Sequence, residues 1–137
     1  MKAIEVSCLC GAVKMQVKGE PVEQFYCHCD DCQAASGVPY VAVAVYPKDA
    51  VTVRGELKTL TIRTMPRKWC ARCGMRMIGE VVDFDQRGVN AFLLPQGAFT
   101  PAFHINCRYA LLPVKDDLPH FKGFPAKFGG SDETVDW

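Results

Sequence analysis

Three cysteines stand within six consecutive residues, Cys27–Cys32, together with one histidine and two aspartates. A β-strand needs apolar bulk at alternate positions, so packing alone does not explain three thiols in one short stretch. Thiols at such spacing are typical of metal ligands. The segment therefore predicts a metal site, and it raises the question of what the five other cysteines do.

The chain has eight cysteines in all, and it does not begin with a secretory signal. Reducing cytosol disfavours disulfides, and the same pattern there more often indicates metal binding or redox chemistry. Cys8/Cys10 and Cys27/Cys29 are each separated by one residue, which would strain a disulfide. We therefore expect metal-binding thiols in a cytoplasmic protein, with a disulfide framework as the weaker alternative.

Length and charge narrow the class of protein. A chain of 137 residues is most simply one domain. We predict a single zinc-binding domain over residues 1–128 and a flexible C-terminal tail over 129–137. The net charge of +1 does not favour nucleic acid as a partner, and the absence of a long apolar run does not favour a membrane. The sequence does not predict the oligomeric state.

Short apolar runs separated by turn residues predict a mainly β fold with little helix. Residues 40–46 are apolar throughout and predict a strand that is buried on both faces. Residues 33–36 are expected to form one helical turn that is broken by Gly37. Further strands are predicted at residues 4–6, 12–17, 50–53, 57–64, 77–82 and 89–94.

Two pairs of cysteines have spacings that suit a shared metal. Cys8 and Cys10 flank one residue and precede Gly11, which gives the backbone freedom to bend. Cys70 and Cys73 form a C-x-x-C followed by glycine, as in a zinc knuckle. Joining the pairs gives a closed four-cysteine site, which we interpret as structural because it leaves no position for a substrate.

Cys27, Cys29 and Cys32 then remain as a set of three. Such a set either leaves a fourth metal position open, as catalytic zinc sites do, or forms a second structural site. Cys107 or a histidine would be the fourth ligand in the second case, and spacing alone favours neither. His28 lies between two expected ligands and is expected to face away from the metal.

The ordered pattern resembles the glutathione-dependent formaldehyde-activating enzyme family, which also includes centromere protein V. The match covers roughly residues 4–125, and its seven ordered cysteines are highly specific for the family but much less specific for the substrate. The resemblance is carried by Cys8-Leu9-Cys10-Gly11, Cys27-His28-Cys29-Asp30-Asp31-Cys32, Cys70-Ala71-Arg72-Cys73-Gly74 and His104-Ile105.

The resemblance implies a β-tent fold of small antiparallel sheets held by zinc. It implies two zinc ions per chain, of which we expect the second to be less fully occupied. The implied ligands are Cys8, Cys10, Cys70 and Cys73 for a structural zinc, and Cys27, Cys29 and Cys32 for a catalytic zinc.

The family's named reaction joins glutathione to formaldehyde to give S-(hydroxymethyl)glutathione, and it is classed as a carbon–sulfur lyase reaction. We therefore predict a zinc-dependent carbon–sulfur lyase with a small-molecule thiol such as glutathione as its partner. The thiol would be activated at the open three-cysteine zinc. His104 is a candidate for orienting the substrate or acting as a base, and a structural hydrogen bond is its alternative role.

Two residues depart from the family's usual pattern and bear on substrate binding. Gln33 stands where a basic residue usually follows the cysteine triplet, and Met75 stands where a small hydroxyl residue usually follows the knuckle glycine. Basic residues around the knuckle would suit a thiol that carries carboxylates, or would form a charged, solvated turn. These residues are Arg67, Lys68, Arg72 and Arg76.

Two other functions are compatible with the same residues. The first is a β-domain that zinc holds together and that binds a partner without catalysing a reaction. Its second metal site would be saturated by protein ligands or would hold no metal. This function stays open because the fold alone does not assign function. A thiol redox enzyme would use Cys107, with Arg108 beside it lowering the pKa of the thiol.

Overall fold

The computed structural model describes residues 2–137, and within them the chain forms ten strands, one α-helix and five short 3-10 helices. The mainly β prediction is confirmed. No helix among these residues is long and apolar enough to cross a membrane. The elements are β1 (Ala3–Ser7), β2 (Lys14–Lys18), β3 (Glu23–Cys27), α1 (Asp30–Ser36), β4 (Val41–Pro47), β5 (Val51–Arg54), β6 (Leu57–Ile62), β7 (Met65–Cys70), β8 (Arg76–Val81), β9 (Gln86–Asn90) and β10 (Phe103–Ile105).

The chain divides into two compact units. The first comprises the chain up to Glu23 together with Ala44–Phe99, and the second comprises Gln24–Val43 together with Thr100–Trp137. Strand β4 contributes residues to both, and it is buried along most of its length, as its apolar sequence predicts. The single domain over 1–128 and the flexible tail stay predictions.

A three-stranded antiparallel sheet in the first unit has the strand order β1-β2-β5. Met15 on the central strand lies opposite Val6 on one side and Val53 on the other. Met15 and Val17 are buried while the β2 residues between and beside them are exposed. This period of two explains why alternation in the sequence located the strand correctly.

An antiparallel meander in the same unit has the order β9-β8-β7-β6. Its centre is apolar, since Ile78 and Val89 lie opposite each other and both are buried. Strand β7 was not predicted, because Pro66 and two basic residues, Arg67 and Lys68, interrupt any apolar alternation there. Its last residue is Cys70, so this strand carries the first thiol of the knuckle.

The second unit is built around a short parallel pairing of β10 with β3. Phe103 lies opposite Phe25, and Ile105 lies opposite Cys27. This short pairing is parallel, whereas the sheets predicted from the family resemblance were antiparallel. The core around it contains Cys27, Cys32, Val41, Phe103 and Ile105 as buried residues, with Phe25, Phe121 and Phe128 among the side chains packed against them.

Helix α1 is longer than the single turn that was predicted. It begins after Cys29, whose Sγ accepts a hydrogen bond from the backbone N–H of Cys32 and so caps the helix. Asp30 and Asp31 lie in the first turn, where negative charge is favourable. The helix ends at Gly37, which has a left-handed φ of 65°. The expected break at Gly37 is therefore observed.

Replacing Gly55 by alanine should destabilise the first unit strongly. Gly55 has a φ of +114°, and an added Cβ would meet the carbonyl oxygen of Ala12 and lie 2.9 Å from the Cα of Val13. Both contacts are with backbone, which cannot rotate away, so we expect a loss of about 3–4 kcal/mol in the free energy of unfolding. Urea denaturation measures this loss.

Gly97→Ala is the matched control. Gly97 also has a positive φ, +86°, but an added Cβ would meet nothing within 4 Å. Only conformational strain of about 1–2 kcal/mol is expected there. Equal losses in the two variants would contradict the role given to the Gly55 contacts.

Candidate functional site

Four cysteines of the first unit converge, although Cys10 and Cys70, the nearest members of the two pairs in the sequence, are 60 positions apart. The Sγ atoms of Cys8, Cys10, Cys70 and Cys73 all lie within 4.8 Å of one another. Cys8 Sγ is 3.5 Å from Cys10 Sγ and 3.6 Å from Cys70 Sγ. Sulfurs bonded to a tetrahedral metal at about 2.3 Å are about 3.8 Å apart, whereas a disulfide is about 2.05 Å long. The spacing fits a metal, and all eight cysteines are free.

Backbone N–H groups point at these sulfurs. Val13 N donates to Cys8 Sγ at 3.3 Å, and Cys73 N donates to Cys70 Sγ at 3.3 Å. Gly74 completes the knuckle turn with a φ of +76° and donates its own N–H to the carbonyl of Cys70. Such hydrogen bonds stabilise negative sulfur, so the backbone is arranged for thiolates.

The pKa values of Cys8 and Cys10 are driven apart by their proximity. Burial raises the pKa of Cys8, but hydrogen bonds from the backbone of Val13 and from the neighbouring thiols outweigh it and lower that pKa to about 6. The N–H of Ala12 lowers the pKa of Cys10, but burial and the adjacent thiols raise it to about 11. Without a cation, the thiol of Cys10 therefore keeps its proton near neutral pH.

The second cluster lies where β3 passes into α1. The Sγ atoms of Cys27, Cys29 and Cys32 lie within 4.8 Å of one another, and those of Cys27 and Cys32 are 3.6 Å apart. In the described part of the chain, no fourth cysteine, histidine or carboxylate lies within 4.8 Å of all three. The structure thus brings the three cysteines together without Cys107 or His28, which the sequence had left as possible fourth ligands.

Two hydrogen bonds reach the triplet's sulfurs from outside the thiol side chains. Cys32 N donates to Cys29 Sγ at 3.2 Å, and Asn106 Nδ2 donates to Cys27 Sγ at 3.5 Å. Hydrogen bonds from the other two thiols, together with burial, raise the pKa of Cys27 well above its usual range. A cation bound among the sulfurs would remove this barrier to ionisation.

His28 faces away from the triplet, as expected. Its side chain is fully buried, and its Nε2 lies 2.9 Å from Nδ1 of His104. His104 is also fully buried, and its Nε2 lies 2.8 Å from Asp116 Oδ2. Burial lowers the pKa of His28 to about 4. Because both ring nitrogens of His104 have protein partners, its placement favours the structural alternative over contact with a substrate.

Sequence reasoning missed several members of this second unit. Asn106 has a φ of +57° and contacts Cys27 through its amide, while Asp116 and His120 extend the histidine cluster. Trp137 was not missed, because its docking was considered from the sequence, and its ring packs against His28 with centroids 5.2 Å apart. The one available signal was that the chain has only three histidines, and all three meet here.

An open groove of about 590 Å³ runs beside α1. Asp30 and Gln33 line it from the helix, and Leu111 and Leu112 line it from a later loop. The two leucines are more than half exposed. A groove of this composition suits the apolar part of a small molecule.

Gln33, one of the two departures from the family pattern, has its amide committed to the backbone. Its Nε2 lies 2.8 Å from the carbonyl oxygen of His28 and 2.9 Å from that of Tyr109. The side chain therefore ties α1 to two loops. It is not a freely replaceable surface group.

The basic residues around the knuckle have unequal environments. Arg67 is buried, Lys68 and Arg76 are half-buried, and Arg72 is exposed. The alternative of a uniformly solvated turn is therefore wrong for Arg67.

Cys107 does not have the properties of a reactive thiol. It is buried, and burial followed by the charge of Asp116 raises its pKa to about 12. The redox alternative required Arg108 to lower this pKa, and that expectation is wrong. A thiol in this environment is a small apolar side chain in the core.

Comparison with known proteins decides the family. The model of the GFA family, the glutathione-dependent formaldehyde-activating enzymes, matches residues 3–109. This chain belongs to that family. The resemblance inferred from the cysteine pattern is therefore confirmed, and it covers both cysteine clusters.

A solved structure supports the fold. The crystal structure of a Rhodobacter sphaeroides protein, a structural-genomics target, superposes with a TM-score of 0.56 at 22% identity, covering 69% of this chain and 89% of that one. At this identity the likeness concerns the fold alone.

Cys107 should resist alkylation in the native protein. Because its pKa is about 12 and its side chain is buried, the thiolate is scarce at pH 7.5 and out of reach of the reagent. Mass spectrometry after brief treatment with iodoacetamide measures the modification, and the same treatment in denaturant is the control. Rapid, selective labelling of Cys107 in the native state would contradict the assignment.

Proposed function

We propose that this protein is a zinc-dependent carbon–sulfur lyase that joins a small thiol to a small aldehyde. The observation that carries the proposal is the triplet of Cys27, Cys29 and Cys32, which converges without a fourth protein ligand among the described residues. Glutathione and formaldehyde are the substrates that the family's description suggests. A cytoplasmic location and the lack of nucleic-acid or membrane partners belong to the same proposal.

The donor sets suit zinc. Four thiolates from the two cysteine pairs would hold one ion in a closed shell, which is the arrangement of structural zinc sites. Three thiolates from the triplet would hold a second ion and leave one position for a substrate. The sulfur spacings of 3.5–3.7 Å in the first cluster and 3.6 Å in the second support both assignments.

Zinc bound at the triplet would supply a Lewis-acidic position that favours a soft sulfur ligand and lowers the pKa of a thiol. The protein's own groups prepare that position. The N–H of Cys32 and the amide of Asn106 donate to the triplet's sulfurs and so spread their negative charge. Gln33 holds the start of α1 to the backbone of His28 and thereby keeps the triplet's shape.

The proposed reaction is an addition that conserves all atoms. The thiol loses its proton, the sulfur forms a bond to the aldehyde carbon, and the carbonyl π electrons move to oxygen. The oxygen then takes a proton, which gives an S-(hydroxyalkyl) product. Solvent is a sufficient source and acceptor for these protons, and His104 is not needed because its ring nitrogens are engaged elsewhere.

We further propose that the groove beside α1, the helix that begins after Cys29, holds the remainder of the thiol substrate. Its described lining includes one acid, Asp30, and two exposed leucines, Leu111 and Leu112, but no basic residue. Glutathione carries two carboxylates, which this lining would not neutralise. A less anionic thiol is therefore the competitor to glutathione within the same reaction class.

The reaction is tested with zinc-loaded protein, formaldehyde and two thiols, glutathione and the neutral 2-mercaptoethanol. NMR exchange spectroscopy should show adduct formation faster than in protein-free buffer. Cys29→Ser should reduce the acceleration by at least roughly 100-fold, because it removes one ligand of the open site. Cys107→Ala, which alters a buried cysteine outside both clusters, should keep it.

The outcomes separate the possibilities. Acceleration with glutathione supports the family's named activity, and acceleration with the neutral thiol alone supports the same chemistry on another substrate. No acceleration with either thiol, when two zinc ions per chain are confirmed, would overturn the proposal and leave a zinc-stapled binding module.

Zinc should leave the two sites unequally. A three-thiolate site exposes its ion to competing ligands, so we expect a chelator to remove one zinc equivalent under conditions that retain the other. Metal analysis after graded treatment with EDTA measures this. The Cys29→Ser variant should carry only the resistant equivalent, and equal resistance at both sites would refute the assignment of an open shell.

A further inference from the structure

We propose that the second unit contains a third metal site, formed by His104, Asp116 and His120 and suited to a divalent transition-metal ion. One ligand atom from each residue lies within 4.8 Å of the others. None of the three is a cysteine, and none belongs to either thiol cluster. The proposal therefore stands independently of the proposed function.

The carboxylate of Asp116 lies between the two imidazoles. Its Oδ2 is 2.8 Å from His104 Nε2, and its Oδ1 is 2.9 Å from His120 Nε2. Two ligands bonded at about 2.1 Å and separated by 90° at the metal are about 3.0 Å apart. The observed separations are compatible with neighbouring ligands in such a coordination shell.

His120 supplies a second, independent observation. Its side chain is 92% buried, since only 8% is exposed. Although its Nε2 lies 2.9 Å from Asp116 Oδ1, within the described part of the chain that nitrogen makes no hydrogen bond. The nitrogen and the oxygen are close, but the N–H direction does not point at the oxygen, so no hydrogen bond forms between them. A buried polar atom without a partner is costly, and a metal ion would satisfy it.

His28 lies where it can orient the imidazole ring of His104, one of the proposed ligands. Metal binding at Nε2 of His104 leaves its proton on Nδ1, and that nitrogen lies 2.9 Å from His28 Nε2. Imidazole ligands in proteins usually donate their second N–H in this way. The third histidine of the chain thus completes the arrangement without binding the ion itself.

The donor set defines the class of metal. Two imidazoles and one carboxylate suit Zn²⁺, Ni²⁺, Co²⁺ or Fe²⁺ better than Mg²⁺ or Ca²⁺, which prefer oxygen ligands. Asp116 is 30% exposed, which gives an ion a route from solvent. The ion would join strand β10, which carries His104, to the later segment that carries Asp116 and His120.

Trp137 provides a built-in reporter. Its ring centroid lies 4.7 Å from that of His120 and 6.0 Å from that of His104. The other tryptophan of the chain, Trp69, can be changed to phenylalanine so that emission comes from Trp137 alone. A paramagnetic ion such as Ni²⁺ bound at the proposed site would quench that emission.

The experiment adds Ni²⁺ to Trp69→Phe protein that carries two zinc equivalents per chain by metal analysis, so that the proposed third site is not already filled with zinc, while a zinc indicator monitors release from the cysteine clusters. We expect saturable quenching at one Ni²⁺ per chain without zinc release, and a rise of several degrees in Tm. Asp116→Asn and His120→Gln should each weaken Ni²⁺ binding at least tenfold. Asp117→Asn, a neighbouring exposed acid, is the matched control and should bind as the parent does.

Each result is decisive. A parent protein that takes up no further equivalent of Ni²⁺ by equilibrium dialysis overturns the proposal, even if a variant fails to fold. Equal weakening in Asp116→Asn and Asp117→Asn also overturns it, because it would indicate nonspecific attraction to acidic residues. Quenching that occurs only as zinc is released would place the Ni²⁺ at a cysteine cluster and likewise refute the third site.

Discussion

The first unit depends on the meeting of four sulfurs from distant parts of the chain. Cys8 and Cys10 follow β1, while Cys70 ends β7 and Cys73 follows it. A metal held there would close a loop of more than sixty residues, and in structural zinc sites the binding free energy is also folding free energy. The N–H groups aimed at the sulfurs and the positive φ of Gly74 are local consequences of that requirement.

The second unit also gathers cysteine thiols, but different structural elements hold them in place. Its triplet lies at the junction of a strand and a seven-residue helix, and Cys29 serves at once as thiol and as helix cap. Core packing by Phe103 and Ile105 holds the strand behind it. The cluster of four thiols thus lies in the unit with the larger antiparallel sheets, and the cluster of three lies among short elements.

The sequence was informative where spacing is dictated by chemistry. The grouping of the cysteines could be predicted because ligands of one ion must have compatible geometry, and the structure brings together the two clusters that were expected. Strands with regular alternation, such as β2, were also predictable. Strands β3, β7 and β10 were not, because their sequences lack a clear period, and β3 pairs with β10, a distant part of the chain, and with β4.

The histidine cluster shows a different limit. His104 and His28 are 76 residues apart, and no motif links them. Asp116 and His120 lie in a proline-rich segment whose local pattern predicts only a loop. Their meeting follows from the β10–β3 pairing, which could not be read from periodicity. The pKa of Cys107 was misjudged for the same reason, since an adjacent arginine in sequence says nothing about burial.

The parallel pairing of β10 with β3 has a consequence for the order in which the protein is made. Cys27 and its strand partner Ile105 are 78 positions apart in the sequence. In a nascent chain, the three closely spaced thiols therefore lack this partner strand until the residues between Cys27 and Ile105 have been synthesised. During that interval the thiols are open to oxidation and to capture of the wrong ion. The thiols of the triplet therefore lack the cover of β10 for longer than those of any pair that closes locally.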